Sequence, residues 1–357
     1  MAASVLKRRR PVTRRTSDIR NWGILSRYRG VLLGGAALWI VLLHSTIWFS
    51  WPPAAYLKAT GYCGVDCFLY LSAVGLYFSW KRNHDGIAAF YRRRFLRIFP
   101  AYLIIVIIRC FMEQTGKRYA VLLASTLSFW LRNDLSMWFI SGITVLYLLS
   151  PLLLAALDSR HRRVWFTLFW AASLISGFLM RGTPQNLFFV RTPSFLLGLC
   201  TAQRVYEKKP VTAKEGIGMA AGFLLGTVLM ILCQSGAAAA YSTLDWVLRW
   251  YSVLLFEVPL LFLAAGLTAF LTERSFTAPV QFLSGIGTIS LEVYLIFELL
   301  LRFFRETPLA RLPFEYRGWV YSLIILAMTI LAGALVHSIA GKITGFIEKK
   351  RLQAQNN

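Results

Sequence analysis

The chain has 357 residues, 57% of them apolar and 15% charged, with a formal net charge of +23. A soluble domain carries about a quarter of its residues as charges, so this composition excludes a soluble globular protein and points to an all-α, polytopic integral membrane bundle. The basic residues sit in short loops between apolar runs, where the positive-inside rule accounts for them, and no nucleic-acid partner is expected.

Residues 1–29 are basic and polar, with Lys7 to Arg10, Arg14, Arg15, Arg20, Arg27 and Arg29. They read as a flexible cytoplasmic tail held at anionic headgroups. The apolar run that follows is too long for a cleaved signal-peptide core and leads into further runs, so it reads as a retained helix. A membrane domain over 30–345 is expected to hold about ten spans, near 31–51, 60–80, 98–113, 136–156, 164–180, 186–203, 216–234, 248–271, 283–303 and 318–341. Residues 119–131 are too short to cross ~30 Å of hydrocarbon and read as interfacial or re-entrant. A short cytoplasmic tail over 346–357 closes the chain. With both termini inside, the inner segments hold 27 of the 39 lysines and arginines and the outer ones ten, which favours that orientation. Arg109 and Arg191 remain within spans.

The five cysteines include no C-x-x-C pair, so they read as small apolar side chains and no metal is expected. Gly218, Gly222 and Gly226 share one helix face, a spacing that lets backbones approach.

Ionisable groups inside spans are costly and therefore candidates for function. At 1.5 Å per residue, His44, Asp66, Trp138, Arg191 and Glu298 all fall in the outer third of the bilayer, which suggests one water-accessible cavity. Each also has a structural reading. His44 could bridge helices, Asp66 could cap its helix or pair with Arg191, Trp138 could belong to the interfacial aromatic belt, and Glu298 could pair with Arg302 four residues on. Glu257 and Glu292 could be buried partners or could line a path.

Five segments carry a resemblance. They are Gly64-Val65-Asp66-x-Phe68-x-x-x-Ser72, Arg93-Arg94-x-x-Arg97-Ile98-x-Pro100-x-Tyr102, Met137-Trp138-Phe139-Ile140 followed by Leu146-Tyr147 and Pro151, Arg191-x-Pro193-x-Phe195-x-x-Gly198, and Ser290-Leu291-Glu292-x-Tyr294-Leu295-Ile296. Together they resemble the acyltransferase type 3 family of bacterial integral membrane O-acyltransferases. The resemblance implies a multi-pass protein of the bacterial plasma membrane that moves an acyl group, most often acetyl, from acyl-CoA. The acceptor would be a hydroxyl of a cell-surface glycan, a lipid-linked sugar or the cell wall.

His44 matches the family's catalytic histidine, which can take the proton of the attacking hydroxyl, and Asp66 could orient it. Arg29, Arg93, Arg94 and Arg97 suit the phosphates of CoA, and Trp138, Arg191 and Glu298 would line the substrate cavity. The chain departs from the family pattern at three places. Leu33 stands where the family has an arginine eleven residues before the histidine, and Arg29 lies one turn earlier, about 40° around the helix. Ala73 replaces a frequent glycine, and Phe297 replaces a frequent histidine. These losses leave a second reading, a transporter or exporter of a glycan or small polar solute on the same fold without acyl transfer. A third is a partner-binding relative without activity.

Overall fold

In hydrocarbon every backbone donor and acceptor must be satisfied within the protein, which leaves the long apolar runs little choice but helix. The computed structural model describes residues 20–83, 85–237, 240–305 and 314–356, and most of the expected N-terminal tail lies outside the described residues. The main helices are α1 (Arg29–His44), α2 (Cys63–Arg82), α3 (Gly86–Met112), α4 (Trp138–Asp158), α5 (Arg162–Leu179), α6 (Thr192–Tyr206), α7 (Ala213–Gln234), α8 (Val253–Glu273), α9 (Thr277–Thr288), α10 (Ser290–Arg305) and α11 (Phe314–Asn356). Among the described residues the only β pairing is an isolated bridge between Asn21 and Pro210.

Among the described residues, six segments are long and apolar enough to cross a membrane: Cys63–Arg82, Gly86–Met112, Leu135–Asp158, Ala213–Gln234, Ser242–Glu273 and Gly318–Ala354. A seventh arises if Thr277–Thr288 and Ser290–Leu301, bent by 74° at their junction, form one broken span. The chain is therefore a helical membrane protein, but length and apolarity do not support about ten spans. α1 and α6 are only 16 and 15 residues long, and α5 opens on Arg162 and Arg163, which dilutes its apolar run. Residues 119–131 form two short helices, Lys117–Ala124 and Ser128–Arg132, and neither is long enough to span.

The closest packing is between α1 and α9 and between α2 and α6. Small residues make both possible. A Cβ on Gly34 would overlap the Leu283 carbonyl, and one on Gly287 would overlap the Gly30 carbonyl. Gly198 of α6 lies against the Tyr70 carbonyl and Ala73, while Gly64 of α2 lies against the Ala36 carbonyl and Ile40. The α2 helix is thus held between α1 on its Gly64 side and α6 on its Tyr70 and Ala73 side. Of the glycine stripe in α7, Gly222 and Gly226 meet α8, and Gly218 faces open space.

The expected tail needs correction at its end. Residues 20–29 are packed, with Trp22, Ile24 and Leu25 buried. The Trp22 ring meets Phe262 edge-on at 5.1 Å, and its backbone N–H donates to the Lys209 carbonyl at 2.8 Å. Apolar side chains among the basic ones drive this docking, which net charge alone hides. At the other end, α11 continues as helix through residue 356.

Candidate active site

A cavity of about 210 Å³ lies between α1, α2, α3, α4 and α10. Arg29, Arg94 and Arg97 line it, together with apolar positions such as Leu33, Ile40, Phe68 and Phe139. Residues 29, 33 and 40 recur on one face of α1, and the same face continues to residue 44. From Arg29 to Ile40 the helix rises ~16 Å, and His44 lies one turn, ~6 Å, further. His44 itself is exposed and does not line the cavity. Its ring lies 6.1 Å from that of Phe297, the residue standing where the family often has a second histidine.

Arg29 occupies the basic end by reaching across to α2. Its Nε donates to the Leu71 carbonyl at 3.1 Å, and a Cβ on Gly75 would lie 3.0 Å from the guanidinium. The missing side chain at 75 makes room for the arginine. Leu33, on the same wall, is buried. Arg94 lies over the Phe90 and Tyr147 rings at 5.6 and 5.8 Å. Arg93 is not on the wall; it turns to the loop and pairs with Asp85 at 2.8 Å. Consecutive helix residues point 100° apart, so Arg93 and Arg94 cannot both face the cavity.

The second polar centre is an ion pair. The Arg191 guanidinium donates to Asp66 at 2.5 Å, and the two side chains are 4% and 2% exposed. It also donates to the Tyr62 carbonyl at 3.0 Å, and Ser194 Oγ donates to the other Asp66 oxygen at 3.4 Å. Trp250, Trp138 and Tyr62 surround the cation, with ring centres at 5.1, 5.4 and 5.9 Å. Charge pairing and aromatic faces together offset the cost of burying the arginine.

Asp66 does not orient His44. It lies four residues before Tyr70 and seven before Ala73, on the face of α2 that meets α6, whereas α1 packs on the Gly64 side. Glu257, fully buried near Asp66, has the Ser194 hydroxyl as its polar neighbour, though not within good hydrogen-bond geometry of either oxygen. Ser194 therefore stands between two carboxyls, those of Asp66 and Glu257.

For the five groups expected in one layer, the contacts described fall into two sets. Arg191, Asp66 and Trp138 form one, and His44 and the half-buried Glu298 lie on α1 and α10. Phe139, next to Trp138, packs on Tyr294 with ring centres 5.2 Å apart, and Tyr294 lies one turn before Glu298. The charges of Glu298 and Arg191 both act on Tyr294, which places it between the two sets. Its hydroxyl is shielded, with the Phe139 backbone amide near its oxygen and, among the described residues, no acceptor for its hydrogen. Sequence reasoning missed this residue as a site group, although its spacing of four from Glu298 puts both on one helix face.

A third network secures the short helices. Arg109 donates to both oxygens of Glu113 at 3.0 Å, to Ser136 at 2.6 Å and to the Tyr119 hydroxyl at 3.0 Å, and pairs with Asp134 at 3.1 Å. Tyr119 and Ser136 donate in turn to Asp134 at 2.5 and 2.6 Å. Burial pushes the Asp134 carboxyl up, but these hydrogen bonds and the guanidinium outweigh it and hold the group below its ordinary value.

Comparison with curated proteins and with solved structures gives no match. A family model described as an acyltransferase domain matches residues 32–338, most of the chain. The matched region begins just after Arg29 and contains the other cavity arginines, His44, the Asp66–Arg191 pair and Tyr294. The chain belongs to the acyltransferase type 3 family of membrane acyltransferases.

Proposed function

We propose that the protein transfers a short acyl group, acetyl in the first instance, from acyl-CoA to a hydroxyl of a cell-surface glycan, lipid-linked sugar or cell-wall acceptor. The observation that carries this reading is the single face of α1. That face runs from an arginine-lined cavity at Arg29 to the imidazole of His44. Arg29, Arg94 and Arg97 would hold the CoA phosphates, and the apolar stretch beyond them would take the pantetheine arm. His44 would remove the proton of the acceptor hydroxyl as it attacks the thioester. Asp66 serves this scheme indirectly, by fixing Arg191 and with it Trp138 on the α4 side.

The proposed setting is the bacterial plasma membrane with both termini cytoplasmic. In this arrangement α1, α5 and α6 complete a set of about ten crossings. The lysine and arginine balance supports the orientation. Acyl-CoA then enters from the basic end and the acceptor from the end bearing His44.

Labelled acetyl-CoA turnover in proteoliposomes tests the reading, with wild type beside His44→Ala. The expected result is turnover in the wild type and its loss in the variant, with membrane insertion unchanged. Undiminished activity in His44→Ala would remove the imidazole from the mechanism. Substrate flux independent of acyl-CoA, with no turnover, would identify a transporter instead.

A further inference from the structure

We propose that the Tyr294 hydroxyl is the donor that stabilises the oxyanion formed on the thioester carbonyl during acyl transfer; this rests on the acyl-transfer reading above. The residue lines the cavity, and the Phe139 backbone amide lies near its hydroxyl oxygen, yet among the described residues its O–H meets no acceptor. A buried donor without a partner is costly, so one retained on a cavity wall is accounted for by a ligand acceptor that pairs with it. Of the other neutral donors on that wall, Ser72 of α2 is compared directly in the test below, and two more are differently placed. Ser290 Oγ already donates to the Gly287 carbonyl at 3.0 Å, and Tyr147 lies under the Arg94 guanidinium among the groups suited to phosphate.

Position along α10 adds a second argument. Tyr294 precedes Phe297 by three residues, a rise of ~4.5 Å, and Phe297 is the residue beside the His44 ring. The hydroxyl is therefore on the His44 side of the arginines, where the acyl end of a bound thioester belongs. Its ring is fixed against Phe139, so the donor is pre-positioned rather than recruited.

The acceptor oxygen bonds to the carbonyl carbon while its proton passes to His44, and the carbonyl π pair moves to oxygen. The Tyr294 O–H donates a hydrogen bond to that oxyanion and keeps its proton. The C=O then re-forms, the C–S bond breaks, and the CoA thiolate takes the proton from His44. An ester and free CoA result.

The test compares wild type, Tyr294→Phe and Ser72→Ala in proteoliposomes supplied with acetyl-CoA. It measures kcat, KM, and the affinity for CoA alone by calorimetry. It also follows the carbonyl infrared band of ¹³C-labelled bound acetyl-CoA. Tyr294→Phe removes one oxygen whose hydrogen has no acceptor among the described residues and leaves the ring in place, so its melting temperature is expected to stay close to the wild-type value. The expected result is a loss of kcat of about 10²–10³-fold, with KM and CoA affinity unchanged. The carbonyl band should shift to higher frequency in the variant. An unchanged kcat, a change confined to KM, or the same loss in Ser72→Ala with none in Tyr294→Phe would each overturn the assignment. Wild-type protein that binds CoA but turns over no acetyl-CoA would overturn the acyl-transfer reading itself, and this role with it.

Discussion

Arg191 and Asp66 meet at 2.5 Å across the interface of α2 and α6, with neither side chain more than 4% exposed. Leaving one charge of such a pair unpaired costs about 3–5 kcal/mol. Arg191→Ala and Asp66→Ala are each expected to lower the melting temperature in detergent markedly. The double variant should be less destabilised than the two losses added together, because no lone charge remains. Strict additivity in that double-mutant cycle would show that the pair is not coupled.

Glu257 follows the opposite expectation. Its carboxyl lies between the Asp66 carboxyl and the Ser194 hydroxyl, in no ion pair among the described residues. An unpaired buried carboxylate is unfavourable, so Glu257→Gln is expected to leave thermal stability unchanged or raise it. A large destabilisation would mean that the native carboxyl is ionised and paired in the membrane.

Whether Arg29 serves in place of the arginine absent at position 33 can be tested by exchange. Arg29→Leu removes charge-assisted hydrogen bonding at the basic end and is expected to raise KM for acetyl-CoA ~10–100-fold. Combining it with Leu33→Arg puts a guanidinium on the same wall one turn further along. Partial recovery of KM is expected in the double variant. No loss in the single variant would show that Arg94 and Arg97 suffice.

Gly75 gives an independent view of the same arginine, because its missing side chain leaves the guanidinium its place. Gly75→Ala asks only a few tenths of an ångström of a flexible side chain and is expected to be mild. Gly75→Leu should displace Arg29 and raise KM about tenfold, or ~1.4 kcal/mol. Equal kinetics for both substitutions would contradict this placement.

The Asp134 network predicts acid sensitivity. Its folded carboxyl is held below the ordinary value near 4. The associated stability is therefore fully present above that value and is lost as pH falls through the lower folded value. Melting curves of the wild type should decline over that acid range, and those of Asp134→Asn should start lower and decline less. Parallel curves would assign the acid sensitivity to other carboxyls.

Much of the helical order could be read from the apolar runs, because hydrocarbon imposes helix wherever such a run occurs. The pairing of Asp66 with Arg191 was among the alternatives that depth along the helices left open. Depth gives height but not azimuth, so it could not tell whether Asp66 faced α1 or α6. The placement of Gly64 and Gly198 decides that, and it depends on which helices touch. The docking of Trp22 on Phe262 escaped for a related reason: a basic segment reads as solvated until a distant partner is found for its few apolar residues. The number of crossings was the least legible feature. Short helices such as α1 and α6 are apolar but fall below the roughly 20 residues by which a span is recognised.

The 74° bend between α9 and α10 has an electrostatic consequence. In a straight span the peptide dipoles add head to tail and leave their partial charges at the two membrane surfaces. Here the alignment breaks, and the first residues of α10, Ser290 and Leu291, lie on the cavity wall. The amide end of a helix carries about half a positive charge, so the fold directs a positive field into the interior without spending a side chain on it. Broken helices serve anionic substrates in this way in transporters. Weak binding of CoA should therefore persist even in a chain from which Arg29, Arg94 and Arg97 have all been removed.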